Sequence, residues 1–111
     1  MGILFSQASF KNSRVSTRQA TTSADVKEIV ISNAANTLVA SVNPNRTYIT
    51  LRSGASTAGD DLRYDYFNNP NILTEGFLLK AGEAVDLENQ SDIYARAVVN
   101  PVSASVDEGS G

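Results

Sequence analysis

Apolar and polar positions along this chain alternate in short runs. Clusters of Asn, Pro, Gly and Ser interrupt them at spacings near the ~8–12 residues of β-sandwiches and barrels. Val26 to Ile31 reads Val-Lys-Glu-Ile-Val-Ile, β-branched and aliphatic in the manner of a strand buried on at least one face. Ser32 to Asn36 forms a turn. Thr37 to Val42 then places Leu38, Ala40 and Val42 on one side and Val39 and Ser41 on the other, because strand side chains alternate. Asn43-Pro44-Asn45 reverses the chain: Pro44 fixes its own φ and pushes Asn43 toward extended backbone, and Asn45 tolerates the left-handed conformations of tight turns. A central strand follows from Arg46 to Ser53. Thr47, Ile49 and Leu51 are its expected core face, with Arg46, Tyr48, Thr50 and Arg52 opposite.

The second half repeats the pattern. Gly54 to Asp61 is a loop of small and acidic residues, Leu62 to Phe67 an alternating aromatic strand, and Asn68-Asn69-Pro70-Asn71 its stop. Gly76 to Leu79 is a short apolar piece before the turn Lys80 to Glu83. Ala84 to Leu87, Ile93 to Val98 and Val102 to Val106 are three further strands, the last the cleanest alternation in the chain. An amphipathic helix over Ser23 to Ala35 is the one competing element, and its Val-Ile-Val-Ile content argues against it. The pattern therefore predicts an all-β protein, an antiparallel β-sandwich (jelly-roll or Ig-like) of about eight short strands. It also divides the chain into an extended N-terminal arm over residues 1–24, a sandwich domain over 25–107 and a flexible, fraying C-terminal tail over 108–111.

Composition narrows the chemistry. The 111 residues fit one domain, and the chain has no Cys, His or Trp. Disulfides and thiol chemistry are thereby removed, along with the imidazoles and thiolates that most often bind zinc or act as general bases. Net charge is −3, unevenly spread. Residues 1–27 carry Lys11, Arg14, Arg18 and Lys27 against Asp25, whereas residues 28–111 hold five basic and eleven acidic side chains. An acidic body argues against nucleic acid as the main ligand, since phosphate binding needs clustered Lys and Arg. No apolar run approaches the length of a membrane span. Gly2 and Ser6 fit the short myristoylation pattern, but Ile3, Leu4, Phe5 and Phe10 read better as hydrophobic plugs that dock on a neighbouring subunit, with Lys11, Arg14 and Arg18 as charge partners.

Several side chains could carry chemistry, each with a plainer alternative. Asp60, Asp61 and Asp65, with Asn68, Asn69 and Asn71, supply hard oxygens that calcium uses, but their spacing is not that of an EF-hand and a solvated acidic loop is the preferred reading. Asp86 with Glu88, or Asp65 with Glu75, could be nominated as a glycosidase pair, as could pairs in any acidic β protein. Tyr64, Tyr66 and Phe67 suggest a stacking platform for a sugar or base, yet alternation separates Phe67 from the tyrosines and favours core and rim packing. Arg46 could fork onto an anion; with no glycine-rich cradle beside it, a solvated or subunit-bridging charge is preferred. No enzymatic activity, cofactor or metal is expected.

The order of these signals resembles a group of small tailed-bacteriophage virion proteins. The likeness runs over residues 36–109 and is carried by Asn43-Pro44-Asn45-Arg46 with Tyr48 at the start of a strand, Leu79-Lys80-Ala81-Gly82-Glu83, Asp92-Ile93-Tyr94-Ala95, and a close ending Val-Asp-Glu-Gly at Val106 to Gly109. The resemblance implies a capsid decoration (cement) protein on the virion exterior, assembled in the host bacterial cytoplasm. It would bind the major capsid protein as a homo-oligomer, a trimer by preference. A head-tail or neck component and a host glycan-binding module using Tyr64 and Tyr66 are the two rival readings.

Overall fold

The computed structural model describes residue 21 and residues 23–87 and 89–111. The described residues form eight strands: β1 (Ser23–Ile31), β2 (Thr37–Ala40), β3 (Arg46–Ser53), β4 (Leu62–Asp65), β5 (Phe77–Leu79), β6 (Ala84–Leu87), β7 (Ile93–Ala97) and β8 (Val102–Ser110). One helical turn, α1 (Ile72–Glu75), lies between β4 and β5.

All pairings are antiparallel, in two four-stranded sheets ordered β1-β8-β3-β6 and β2-β7-β4-β5. First pairs with last, second with seventh, third with sixth and fourth with fifth, as if one long hairpin had been rolled up; the β8–β3 and β7–β4 contacts close the roll. This is the jelly-roll arrangement of a two-sheet sandwich.

The core lies between the sheets. Ile31, Ile49, Leu51 and Val106 from one sheet and Val39, Leu62 and Ile93 from the other are almost wholly buried. Ala95, Ala97 and Ala104 sit among them, letting the sheets approach. Each large aliphatic contributes about 1.5–3 kcal/mol by leaving water. Ile72, presented by α1, is as fully buried as any of them.

The structure departs from the sequence pattern in four places. In β2 the register with β7 shifts between Leu38 and Ala40, so consecutive Val39 and Ala40 are both buried while Leu38 and Val42 are exposed; simple alternation had Leu38 and Val42 beside Ala40. In β3 a shift between Arg46 and Tyr48 turns Arg46 inward and leaves Tyr48 outward, where alternation had them on one face. A bulge inserts one residue and inverts the facing of everything before it. Strand β1 begins at Ser23, inside the block read as arm. Finally, residues 108–110 are not a fraying tail: β8 runs through Ser110 because β1 and β3 both pair with its end, and the Gly111 N–H donates to the Asn45 carbonyl at 2.9 Å.

Candidate functional site

The turn ahead of β3 is built by Asn43, whose side-chain oxygen accepts from the Asn45 N–H at 3.0 Å and whose carbonyl accepts from the Arg46 N–H at 3.1 Å. Its amide reaches across to the Ser110 hydroxyl at 2.8 Å and the Glu108 carboxylate at 3.2 Å. Pro44 lies exposed in this turn, its carbonyl accepting from the Gln90 side chain at 2.9 Å.

Just inside, the Arg46 guanidinium is spent on the fold. Nε meets Glu108 Oε2 at 2.7 Å, one terminal nitrogen donates to the Asn89 and Ser91 carbonyls at 2.7 and 3.0 Å, and the other donates to the Ser41 carbonyl at 2.8 Å. The residue is 4% exposed. It therefore neither sits solvated nor bridges subunits, as the sequence had suggested. The β3 bulge draws it under the sheet, where it binds together the end of β8, the segment after β2 and the loop between β6 and β7.

Tyr48 leaves β3 on the opposite face and lays its ring across Gly109, so that any Cβ at 109 would overlap the ring. Its hydroxyl donates to Asp107 Oδ1 at 3.1 Å, and this bond to a carboxylate raises the phenol above the usual tyrosine range, since ionisation would break it and set two negative charges together. Asn43 and Arg46 thus share Glu108, Asn43 also reaches Ser110, and Tyr48 meets Asp107 and Gly109, so all three engage the end of the chain's last strand.

The aromatic platform takes another form than expected. Tyr64 stacks on Phe77, with centroids 5.4 Å apart and planes 29° apart, and Tyr66 meets both rings edge-on. Phe67 stands apart and exposed. Phe77 is the member that sequence reasoning missed, because a three-residue strand carries too little pattern; its register opposite Tyr64 places it. Tyr64 is buried with one face covered by Phe77, so it offers no open ring to a sugar. Burial raises the ionisation of both tyrosines above the usual range.

The acidic loop residues do not converge on one point. Asp60 accepts from the Asn100 amide at 3.0 Å, Asp61 from the Ala81 N–H at 3.2 Å, and Asn68 from the Asn36 amide at 2.8 Å. The Asn69 side-chain NH2 bridges Asp65 and Glu75, at 3.1 Å to each, and its side-chain Oδ1 accepts from the Asn71 N–H. That bridge makes Asp65 and Glu75 a structural pair. Among the described residues no three metal-binding side chains gather. Asp86 accepts from Thr50 Oγ1 at 2.7 Å, and its nominated partner Glu88 lies outside the described residues, as do Ile3, Leu4, Phe5, Phe10, Lys11, Arg14 and Arg18.

Two surface features remain available to a partner. On the outer face of the second sheet Arg63 stands directly opposite Arg96, beside exposed Leu78 and within a strand of exposed Leu38. On the first sheet, β1 is exposed over Ser23 to Glu28, on both its faces, because the second sheet does not extend over that end. The chain matches no protein-family model, no curated protein and no solved structure.

Proposed function

We propose that this chain is a structural protein of a tailed-bacteriophage particle, a decoration protein that binds the outer capsid lattice through the major capsid protein and stabilises the head. The observation that carries this reading is the junction of Asn43, Arg46 and Tyr48 with Asp107 to Ser110. The first and last motifs of the phage resemblance lie more than fifty residues apart in sequence, yet they form one packed unit. Shared motifs that make a single junction argue for a shared fold more strongly than isolated turn signals do.

Two further facts agree with an assembly role. The jelly roll is an architecture of viral capsid domains, although lectins and cupins use it too, so this support is by analogy of fold. Among the described residues the buried polar side chains Arg46, Ser53, Asp65 and Asn69 are all engaged in hydrogen bonds within the fold, which leaves recognition to the surface and to the basic, apolar-anchored leader. Many copies of a modest contact reinforce one another on a lattice.

The test is stoichiometry in purified particles of the phage that encodes the chain, followed by reattachment to stripped shells. Abundance close to that of the major capsid protein supports decoration. About a dozen copies, the number expected of a neck ring, overturns it in favour of the head-tail reading. Deleting residues 1–20 is expected to leave a folded sandwich that no longer saturates the shells; unchanged saturation removes the leader from the mechanism.

A further inference from the structure

Among the described residues, strand β1 lies at the margin of its sheet and pairs with β8 alone, with no strand on its other side. Nine residues run in unbroken register with β8, with neither bulge nor proline to blunt the edge. Natural edges of this length are normally shortened, twisted or covered, because they template pairing with another chain. Val26 and Val30, 66% and 64% exposed, add apolar surface on its outer face. Thr21, two residues ahead of the strand, is hydrogen-bonded to Thr47 at the start of β3, across β8 from the free edge.

We propose that the free edge of β1 pairs with β1 of a second copy, antiparallel, about a two-fold axis through Val26. The charges of the strand favour this register, the one that sets Asp25 against Lys27. In one continuous sheet, facing residues must point to the same side, so the axis passes through a residue. Centred on Asp25, Lys27 or Glu28, the pairing sets that charge against its own copy, which destabilises. Centred on Val26, it sets Val26 against Val26, Asp25 against Lys27 twice, and Ser23 against Ile29 twice. A lone Lys27 would deter edge pairing; Asp25 two positions away on the same face converts it into a recognition element. The product is an eight-stranded sheet spanning two sandwiches, with β1 exchanging solvent for a strand on its open side. Such a pair is two-fold, in contrast to the trimer implied by the phage resemblance, and it needs no capsid, so it stands or falls separately from the decoration reading.

The full chain contains no cysteine, which makes a single substitution a clean reporter. Directly facing residues have Cα atoms roughly 4.5–5.5 Å apart, within disulfide reach, whereas residue 28 of one copy would face residue 24 of the other and lie roughly 13 Å from its own counterpart. Under mild oxidation Val26→Cys is expected to give a covalent dimer and Glu28→Cys to remain monomeric. Sedimentation equilibrium of the unmodified chain is expected to show a monomer–dimer equilibrium that Asp25→Lys weakens about tenfold or more and that the exchanged variant Asp25→Lys/Lys27→Asp restores. These positions are exposed, and circular dichroism checks that the sandwich persists. A chain that stays monomeric at all concentrations, equal crosslinking at 26 and 28, or no recovery in the exchanged variant overturns the proposal.

Discussion

Arg46 Nε and Glu108 Oε2 lie 2.7 Å apart, one on the first residue of the central strand and the other two residues before the end of the last strand, with the arginine side chain 1% exposed and the glutamate 21%. Removing one partner of such a pair strands the other, and the loss typically amounts to about 3–5 kcal/mol when both are buried. Arg46→Ala is therefore expected to lower the free energy of unfolding by about 3 kcal/mol or more, since it also orphans the Ser41, Asn89 and Ser91 carbonyls. Glu108→Gln keeps an acceptor for Nε and is expected to lose less, about 1–2 kcal/mol. Urea denaturation of both variants checks the order; an Arg46→Ala protein as stable as the parent would contradict the anchoring role.

The neighbouring contact responds in the opposite sense to size. Gly109→Ala forces a methyl group into the Tyr48 ring, and overpacking of this kind costs about 1–3 kcal/mol. Tyr48→Ala removes the obstacle, so Gly109→Ala introduced into that background is expected to cost little. The double-mutant cycle should show coupling of about 1 kcal/mol or more. Equal penalties in both backgrounds would mean that the glycine serves the strand for some reason other than the ring.

Most of the architecture was legible because period and punctuation agree. Turn residues bound Ala84–Leu87 and Ile93–Ala97 closely, and the apolar set Ile93, Ala95 and Ala97 faces the core as alternation requires. What failed to be legible shares one physical cause, a contact with a distant part of the chain. A two-residue period cannot reveal the bulges at Val39 and Thr47, since the extra residue looks like any other and only the partner strand exposes the shift. Arg46 reads as a surface charge because its carboxylate lies 62 residues away. Asp107 to Ser110 reads as a loose acidic tail for the same reason, its order coming from Ser23 to Val26 of β1 and from Arg46 and Tyr48 rather than from its own composition.

Alkaline pH should weaken the fold through its tyrosines. Tyr48, Tyr64 and Tyr66 all ionise above the usual range in the folded chain, the first because Asp107 accepts its proton bond and the other two because they are buried. A group whose folded pKa exceeds its unfolded value contributes stability that is intact below the unfolded value, near about 10 for tyrosine, and lost as pH rises through the folded one. Denaturant midpoints are thus expected to be flat in this respect up to about pH 9 and to fall beyond about pH 10. Tyr48→Phe, which has no proton to lose, should reduce the fall, and ultraviolet titration should show tyrosinate appearing late. A midpoint independent of pH between about 9 and 11 would contradict the shifts.

Arg63 and Arg96 face each other across β4 and β7 on a solvent-exposed sheet surface. Arg63 donates to the Gly76 carbonyl at 2.9 Å and Arg96 to the Asn33 carbonyl at 3.3 Å; among the described residues neither forms an ion pair. Like charges directly opposite are unfavourable by roughly the 0.2–1 kcal/mol that an opposite pair contributes. Arg96→Glu sacrifices one long hydrogen bond and converts repulsion to attraction, so it is expected to stabilise the isolated protein by a few tenths to about 1 kcal/mol, with the gain shrinking as salt is raised. If the pair is retained for contact with an acidic partner surface, the same substitution should weaken attachment to capsids while the protein itself becomes harder to unfold. Measuring urea midpoints and shell binding on the one variant separates the two quantities: a more stable protein with undiminished binding would assign the arginine pair no part in recognition.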